Sequence, residues 1–249
     1  MKMTPLKTDL SIWKELGLKL PPVGVKYLNE DKPEEEIEKL KGEYTLCEMI
    51  KVAQNSGGQF YMNVDNECCG GAFVMGMREL EAGAYFGNIG VELGLFQDAR
   101  CNSRLYEDLP RMHSNTVNTI VFSPLDKIDF DPDVFFVLAS IDKAETVMRA
   151  VSYSTGERYH ALGQAVMSCA FLFVYPMMAG QVNYMVSALP CGIKGWHVFE
   201  PGEILIAIPY QWLSIVTKSL EEMDLDPPLY KLGRDKYKED FVKIIGKYE

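Results

Sequence analysis

Apolar and polar residues alternate along the chain in patterns that predict strands and helices in turn. Short apolar runs predict strands over 23–28, 59–64, 116–125, 134–139, 181–189 and 204–209. Helical spacing of apolar residues predicts helices over 6–16, 45–54, 142–153, 169–178 and 212–223, others near 91–96 and 100–112, and an amphipathic helix over about 235–248. Asp31, Pro33 and the run Glu34-Glu35-Glu36 predict a further helix start, because proline and carboxylates suit a first turn. The mixture predicts an α/β or α+β fold.

Part of this pattern occurs twice. Cys47 and Cys69 are separated by 21 residues, and Cys169 and Cys191 by the same 21. Aligned without a gap, the two windows also match at Val52 with Val174, Gly58 with Gly180, Gln59 with Gln181, Val64 with Val186, and Gly70 with Gly192. Such self-similarity predicts two strand-helix-strand halves, at about 20–112 and 116–225. We expect pseudo-twofold symmetry between them and one shared core within a single domain, 1–249.

Composition narrows the classes of function. The chain has 249 residues, 47% of them hydrophobic, so it can bury a full core. Its net charge of -10 and the lack of a basic block argue against nucleic acid and against acidic membrane surfaces as partners. The longest apolar run, 167–180, is too short to span a bilayer. The first residues lack the apolar core of a secretory signal, so we expect a cytoplasmic protein.

The duplicated cysteines form the main candidate site. In a reducing compartment, six cysteines are better interpreted as metal ligands, reactive thiols or core residues than as disulfides. If the halves pack about a dyad, Cys47, Cys69, Cys169 and Cys191 approach one another and form a site of four thiolates. Soft all-thiolate ligation favours an iron–sulfur cluster, and we expect [4Fe–4S]. The glycines after Cys69 and Cys191 allow backbone N–H groups to point at sulfur.

Two other residues are further candidate ligands. Cys68 is adjacent to Cys69, but its counterpart in the second window is Pro190, so a spare ligand, a resolving thiol and a bystander are all open for it. His197 lies six residues after Cys191, where a structural histidine is the alternative. Cys101 lies outside both windows, and we interpret it as a small, buried apolar residue and not as a ligand.

Several motifs resemble a known family, the uncharacterised ArCR-type proteins (domain of unknown function 169) of anaerobic archaea and bacteria. The matching stretches cover nearly the whole chain: 22–26, Cys47 with its helix, 69–72, 123–125 through 130–134, Cys169, and 191–192. The resemblance implies that the four repeated cysteines lie in the family's cysteine-bearing motifs. It implies no particular reaction.

Three functions remain open from the sequence. The first is an iron–sulfur protein of anaerobic metabolism for electron transfer, redox sensing or small-molecule activation, which would act on a redox partner protein or a small molecule. The second is a thiol-based redox enzyme using Cys68, Cys69 and Cys191, which requires a depressed cysteine pKa. The third is a zinc- or copper-binding module without catalysis. The sequence does not decide whether the protein is an enzyme, and a homo-oligomer is compatible with all three.

Overall fold

A six-stranded antiparallel sheet forms the centre of the fold. The computed structural model describes residues 3–80 and 82–248. The strands are β1 Val23–Leu28, β2 Phe60–Met62, β3 Thr119–Pro124, β4 Val134–Ser140, β5 Asn183–Val186 and β6 Glu203–Pro209. They are ordered β2-β3-β1-β4-β6-β5, and each neighbouring pair is antiparallel. In the central pair, β1 and β4, Gly24 is opposite Phe135.

Helices occupy the connections between the strands. They are α1 Ile12–Glu15, α2 Leu46–Ser56, α3 Gly71–Val74, α4 Ala82–Tyr85, α5 Asn88–Glu92, α6 Ala99–Glu107, α7 Ile141–Tyr153, α8 Tyr175–Ala179, α9 Cys191–Gly195, α10 Tyr210–Glu222 and α11 Gly233–Ile245. Short 3-10 helices cover Val64–Asn66 and Pro228–Lys231, and a π-helical turn covers Ala170–Val174 directly before α8.

The sheet separates two hydrophobic cores. Successive side chains of a strand point to opposite faces, so each strand contributes to both cores. Along β4, Val134, Phe136 and Leu138 face one core, whereas Phe135 and Val137 face the other. The first core packs against α2, α3 and the π-helical turn, and the second packs against α1, α7 and α10. The fold is therefore a mixed α and β architecture with helices on both faces of an antiparallel sheet. All four repeated cysteines belong to elements on the first face.

The segment 31–40 differs from the prediction. A helix starting at Asp31 was expected, and that prediction is wrong. The backbone N–H of Leu40 donates to the carbonyl of Tyr61, and the N–H of Tyr61 donates to the carbonyl of Glu38. The segment thus forms an isolated bridge beside β2. A backbone N–H or C=O group that pairs with β2 is not available for a helical hydrogen bond. The pairing with β2 therefore takes the place of the predicted helix.

The helix α11 is exposed along its whole length. No residue of it is buried, and its large apolar side chains at Tyr237, Phe241, Val242, Ile244 and Ile245 are all exposed. Within the part of the chain that the structure describes, no helix has both the length and the apolar character required to cross a bilayer.

Candidate functional site

Four cysteines from separate segments line one cavity of about 220 Å³ on the first face of the sheet. They are Cys47 of α2, Cys69 before α3, Cys169 before the π-helical turn, and Cys191 at the start of α9. All six cysteines of the chain are free thiols. The cavity wall includes Leu46, Glu67, Ile89, Leu93, Leu95, Asn102, Tyr106, Val166, Met167, Ser168, Pro190 and Ile193. The wall is mostly apolar apart from a few polar groups near the sulfurs.

The first turn of α2 positions Cys47. Thr45 caps this helix: its hydroxyl oxygen accepts from the N–H of Glu48, and the Glu48 carboxylate accepts from the N–H of Thr45. This reciprocal pair fixes the helix start two residues before the cysteine. The Cys47 side chain is buried, and its Sγ lies 3.9 Å from the hydroxyl oxygen of Ser168. Either group can donate in this contact, and the Ser168 hydroxyl is the donor when the Cys47 sulfur is ionised.

A buried carboxylate organises the loop that carries Cys69. The side chain of Glu67 is fully buried, and it accepts hydrogen bonds from the N–H groups of Gly71 (3.1 Å) and Ala72 (3.0 Å). Arg78 forms an ion pair with Glu67 at 3.3 Å, and its Nη2 also donates to the carbonyl of Cys69. Burial raises the pKa of Glu67, while these backbone donors and Arg78 oppose that rise. The ion pair thus connects the loop to the residues after α3.

Both glycines after Cys69 are closely packed, Gly70 against the flexible end of Met167 and Gly71 against Glu67 and Leu46. A Cβ atom at Gly70 would lie 2.6 Å from the Sδ of Met167. At Gly71 it would lie 2.7 Å from both Oε1 of Glu67 and Cγ of Leu46. A Cβ atom at Gly192, which follows Cys191, would have no neighbour within 4 Å. The two Cys-Gly pairs therefore share a sequence but differ in how tightly they are packed.

Cys169 lies between a strained residue and a widened helical turn. Met167 has a φ of 56°, in the left-handed region that side chains rarely adopt. After the cysteine, the π-helical turn leads to Pro176, which lacks an N–H and cannot continue a regular helical ladder. Asn183 and Tyr27 donate from their side chains to carbonyls of this turn. Such π-helical turns are often found at functional sites.

Burial and hydrogen bonding shift the pKa values of the four thiols in opposite directions. Burial raises the pKa of all four thiols, that of Cys47 to about 12 and that of Cys169 far above its ordinary value. Hydrogen bonds act in the opposite direction: from Ser168 to Cys47, and from the following backbone N–H to Cys69, Cys169 and Cys191. The donors lower the pKa because they stabilise a negatively charged sulfur. Cys69 is exposed as a residue, yet burial is still the main influence on the pKa of its thiol.

Another part of the cavity wall comes from α5 and α6, which lie outside the two matched windows 47–70 and 169–192. Asn102 and Tyr106 of α6 line the cavity, and Ile89 of α5 contributes an apolar side chain. The repeat did not reveal these residues. The only signal in the sequence is that Asn102 and Tyr106 are four residues apart, with Leu105 and Leu109 on the same helical face. Glu67 and Ser168 were also missed, although each lies within two residues of a repeated cysteine.

The remaining candidates lie elsewhere. His197 lines a separate surface depression with Tyr44, Glu48 and Trp196, and has a φ of 52°. Cys68 does not line the cavity. Burial is the main cause that raises the pKa of its thiol, and the negative charges of Glu67 and Glu48 raise it further. Cys101 is exposed on α6, so the expectation that it is a buried apolar residue is wrong. The structure therefore separates the four repeated cysteines from the other two and from His197.

The thiols do not form a preformed chelate for a single ion. Across residues 3–80 and 82–248, no group of three or more His, Cys, Asp or Glu side chains is placed to hold a metal ion. The four cysteines share a cavity without converging on one point.

Comparison with known proteins gives the family. The model of the family described as uncharacterised ArCR (domain of unknown function 169) matches residues 11–219. The chain belongs to this family. It is 30% identical over 190 residues to an uncharacterised protein of Methanocaldococcus jannaschii, an alignment that covers 74% of this chain and 79% of the relative. No solved structure matches the chain. The resemblance inferred from the cysteine motifs is thus confirmed, and α11 lies beyond the family match.

Proposed function

We propose that this member of the ArCR family is an iron–sulfur protein in which Cys47, Cys69, Cys169 and Cys191 hold one [4Fe–4S] cluster. One observation carries the proposal: four cysteines from four separate segments line the same cavity, whereas Cys68 and Cys101 do not. Buried cysteines are common as core residues. Random placement in the core would not bring the two repeated pairs to one cavity while leaving Cys68 and Cys101 outside it.

The size of the cavity favours a cluster over a single ion. A zinc ion bound by four thiolates at about 2.3 Å draws the sulfurs to roughly 3.8 Å from one another. No such convergence occurs among the described residues. A cavity of about 220 Å³ greatly exceeds the ~30 Å³ that one water occupies in the liquid. In a four-iron cluster each cysteine binds a different iron, so the sulfurs stay further apart, and all-thiolate ligation is what such clusters use.

The raised pKa values of the thiols also fit a site for a positively charged metal centre. Burial keeps the thiols protonated at neutral pH, so the cavity without metal contains poor nucleophiles. A thiol-based enzyme needs a depressed pKa, and the shifts at Cys47, Cys68, Cys69, Cys169 and Cys191 are all upward. Iron would supply the missing positive charge and displace the thiol protons. The donors from Ser168 and from backbone N–H groups then stabilise the ligated sulfurs.

Ligation by four cysteines leaves no iron open to a substrate. This favours electron transfer or redox sensing over Lewis-acid chemistry, with a redox partner protein as the second component. Hydrogen-bond donors near the sulfurs stabilise negative charge on them, and this influences the reduction potential of a cluster.

We propose further that the site lies across a pseudo-twofold axis. Counted outward from the centre, the sheet order is β1, β3, β2 on one side and β4, β6, β5 on the other, which is the same sequence order in both halves. This assignment puts β3 in the first half, so the boundary of the proposed halves lies between β3 and β4 and not at 112–116 as expected from the sequence. The central strands are antiparallel, as a twofold axis normal to the sheet requires. A left-handed glycine ends the helical segment before the edge strand in each half, Gly57 before β2 and Gly180 before β5. The duplicated cysteines would then meet because their halves pack side by side.

The test is anaerobic reconstitution of the full chain with ferrous iron and sulfide. We expect about four iron and four sulfide per chain, with the visible absorption of a cluster. Serine substitutions at Cys47, Cys69, Cys169 and Cys191 should each lower the iron content, because serine replaces the soft thiolate. Cys101→Ser and Cys68→Ser are the matched controls and should retain full loading.

Three results would contradict the proposal. A colourless, iron-free protein after reconstitution would exclude the cluster. One tightly bound zinc or copper ion per chain in place of iron and sulfide would favour the metal-binding module. Equal loss of iron in the control variants and the cavity variants would show that the four cysteines are not the ligands.

A further inference from the structure

The side chain of Asn183, the first residue of the edge strand β5, is completely buried and makes three hydrogen bonds. Its Nδ2 donates to the carbonyl of Phe171 at 2.7 Å and to the carbonyl of Leu162 at 2.9 Å. Its Oδ1 accepts from the N–H of Leu162 at 3.0 Å. Because carbonyl oxygens only accept, these partners fix the orientation of the amide. Asn183 therefore joins the π-helical turn to the segment around Leu162, which has no regular secondary structure.

The bond to Phe171 holds the turn that follows Cys169. This π-helical turn begins at the residue after the cysteine. A second side chain, that of Tyr27 in β1, donates to the carbonyl of Phe173 in the same turn at 2.8 Å. Since buried carbonyl groups require partners, two donors from strands of the sheet fix the turn relative to the sheet. The position of Cys169 is thereby connected to β1 and to β5.

The bonds to Leu162 hold a segment that supports Cys191. Three residues after Leu162, the carbonyl of Ala165 accepts a hydrogen bond of 2.7 Å from the backbone N–H of Cys191. Cys191 is the first residue of α9, where backbone N–H groups have no partner inside the helix. The segment that Asn183 fixes on one side therefore also supports the start of the helix that carries the cysteine.

A comparable arrangement supports the loop before α3. The side chain of Asn66 is buried, and its Nδ2 donates to the carbonyl of Leu40 at 2.9 Å. Leu40 and Leu162 align in the same register as the repeated cysteines. Shortly after Leu40, the carbonyl of Tyr44 accepts from the N–H of Cys68 at 3.3 Å. A buried amide thus holds the equivalent leucine beside each cysteine loop, which indicates that the arrangement belongs to the cysteine site.

We propose that Asn183 is a positioning residue that holds Cys169 and Cys191 in the relative placement that ligation of one cluster requires. The inference rests on the proposed function, which supplies the cluster. Asn183 does not line the cavity, so it acts through the backbone of the two segments. An amide is needed because aspartate lacks the donors for the two carbonyls, and an apolar side chain leaves the carbonyls and the N–H of Leu162 without partners.

The first test needs no metal. Asn183→Ala removes all three hydrogen bonds. Asn118→Ala is the matched control, because the Asn118 side chain donates to a backbone carbonyl but does not line the cavity. The folded, metal-free proteins are treated with iodoacetamide and analysed by peptide mass spectrometry. In Asn183→Ala we expect labelling of Cys169 and Cys191 to accelerate about tenfold, with Cys47 unchanged, because the two segments lose their common anchor. Asn118→Ala should label like wild type.

The second test uses the loaded proteins and a signal that a general loss of stability does not change. Wild type, Asn183→Ala and Asn118→Ala are reconstituted with iron and sulfide, and the EPR spectrum of the reduced cluster is recorded under anaerobic conditions. Displaced ligands alter the cluster environment, so we expect shifted g values in Asn183→Ala and wild-type values in Asn118→Ala. Asn183→Ser retains one hydroxyl donor for the two carbonyls and should show a smaller shift.

The outcomes separate the two proposals. Wild type that assembles no cluster overturns the proposed function and the positioning role with it. Wild type that assembles a cluster, with unchanged labelling and an unchanged EPR spectrum in Asn183→Ala, overturns the role of Asn183 and leaves the proposed function intact. If neither Asn183 variant folds, amide hydrogen exchange of wild type is the test. Slow exchange of the Leu162 N–H supports the anchor, and exchange as fast as in an unfolded chain overturns it.

Discussion

Cys47 and Cys169 are buried in the cavity, whereas Cys101 is exposed on α6. Alkylation depends on the thiolate fraction and on access. Because burial raises the pKa of Cys47 to about 12, very little of it is ionised at neutral pH. In the folded, metal-free protein we therefore expect iodoacetamide to modify Cys101 first and Cys47 and Cys169 last, as measured by peptide mass spectrometry.

The unfolded protein provides the control for this experiment, since all six cysteines should react at similar rates in denaturant. Rapid modification of Cys69 or Cys191 in the folded protein would instead support a reactive thiol and the enzyme alternative.

Gly71 and Gly192 form a matched pair at the residue scale. A Cβ at Gly71 meets Glu67 and Leu46, both of which are buried, so Gly71→Ala should destabilise the protein by about 1–3 kcal/mol through overpacking. Gly192 lies in α9 with no neighbour within 4 Å, so Gly192→Ala should be neutral or stabilising by up to about 1 kcal/mol. Denaturant unfolding of both variants checks this difference. Equal effects would mean that the Cys69 loop is not tightly packed.

The sequence identified the cysteines but not their surroundings. Repetition distinguished Cys47, Cys69, Cys169 and Cys191 from Cys101, because an identical spacing is visible in one chain. Tyr106 lines the cavity but lies outside both matched windows, on the helix α6, which begins about 30 residues after Cys69 in the sequence. No local pattern reports such a contact, because tertiary packing alone creates it.

At the scale of elements, prediction succeeded where periodicity was strong. The buried run of β4 and the amphipathic pattern of α7 correspond to the predicted 134–139 and 142–153 within one residue. Prediction failed at 31–36, where carboxylates and a proline suggested a helix start but the backbone pairs beside β2. It was incomplete at 169–178, where the helix is divided into a π-helical turn and α8. Hydrogen bonds to distant residues decide both cases.

The exposed helix α11 offers a prediction at the same scale. It buries no residue, and the family match ends at residue 219. A chain that stops after Leu232 retains the hydrogen bond of Tyr230 with Glu145 and the contacts of Arg149 with the carbonyls of Asp224 and Leu225. We therefore expect this truncated chain to unfold within a few degrees of the full chain and to bind the same amount of iron.

Thermal unfolding and iron analysis of the two chains make this comparison. A large loss of stability would show that α11 packs against the remaining chain or against a second copy in solution.

At the scale of the whole molecule, the sheet and the cavity depend on each other. The strands β1 and β4 pair at the centre of the sheet, and two of the proposed ligands precede β4 in the sequence while two follow it. A bound cluster would therefore connect four segments that are far apart in the sequence. Binding to the folded state alone stabilises it by mass action, so loading should affect the stability of the entire fold.

The protonation of the buried thiols predicts how the stability of the metal-free protein changes with pH. In the unfolded chain Cys47 has its ordinary pKa of 9.0, whereas in the folded, metal-free protein its pKa is about 12. A folded pKa above the unfolded one contributes stability that is complete below about pH 9 and is lost as the pH rises towards 12. Cys47 alone can account for a loss of up to about 4 kcal/mol, at 1.36 kcal/mol for each pKa unit. Cys169 should add to the loss, since burial also raises its pKa.

In the cluster-loaded protein the ligated sulfurs carry no proton, so this part of the alkaline loss should be absent. Denaturant midpoints measured between pH 8 and 11 for metal-free and loaded protein provide the test. Burial also raises the pKa of Tyr27, which contributes to the decline in both forms, so the difference between them isolates the thiols. The metal-free Cys47→Ala variant should show a shallower decline, and Cys101→Ser should retain that of wild type. Parallel declines in the loaded and metal-free proteins would mean that the thiols do not ligate the cluster.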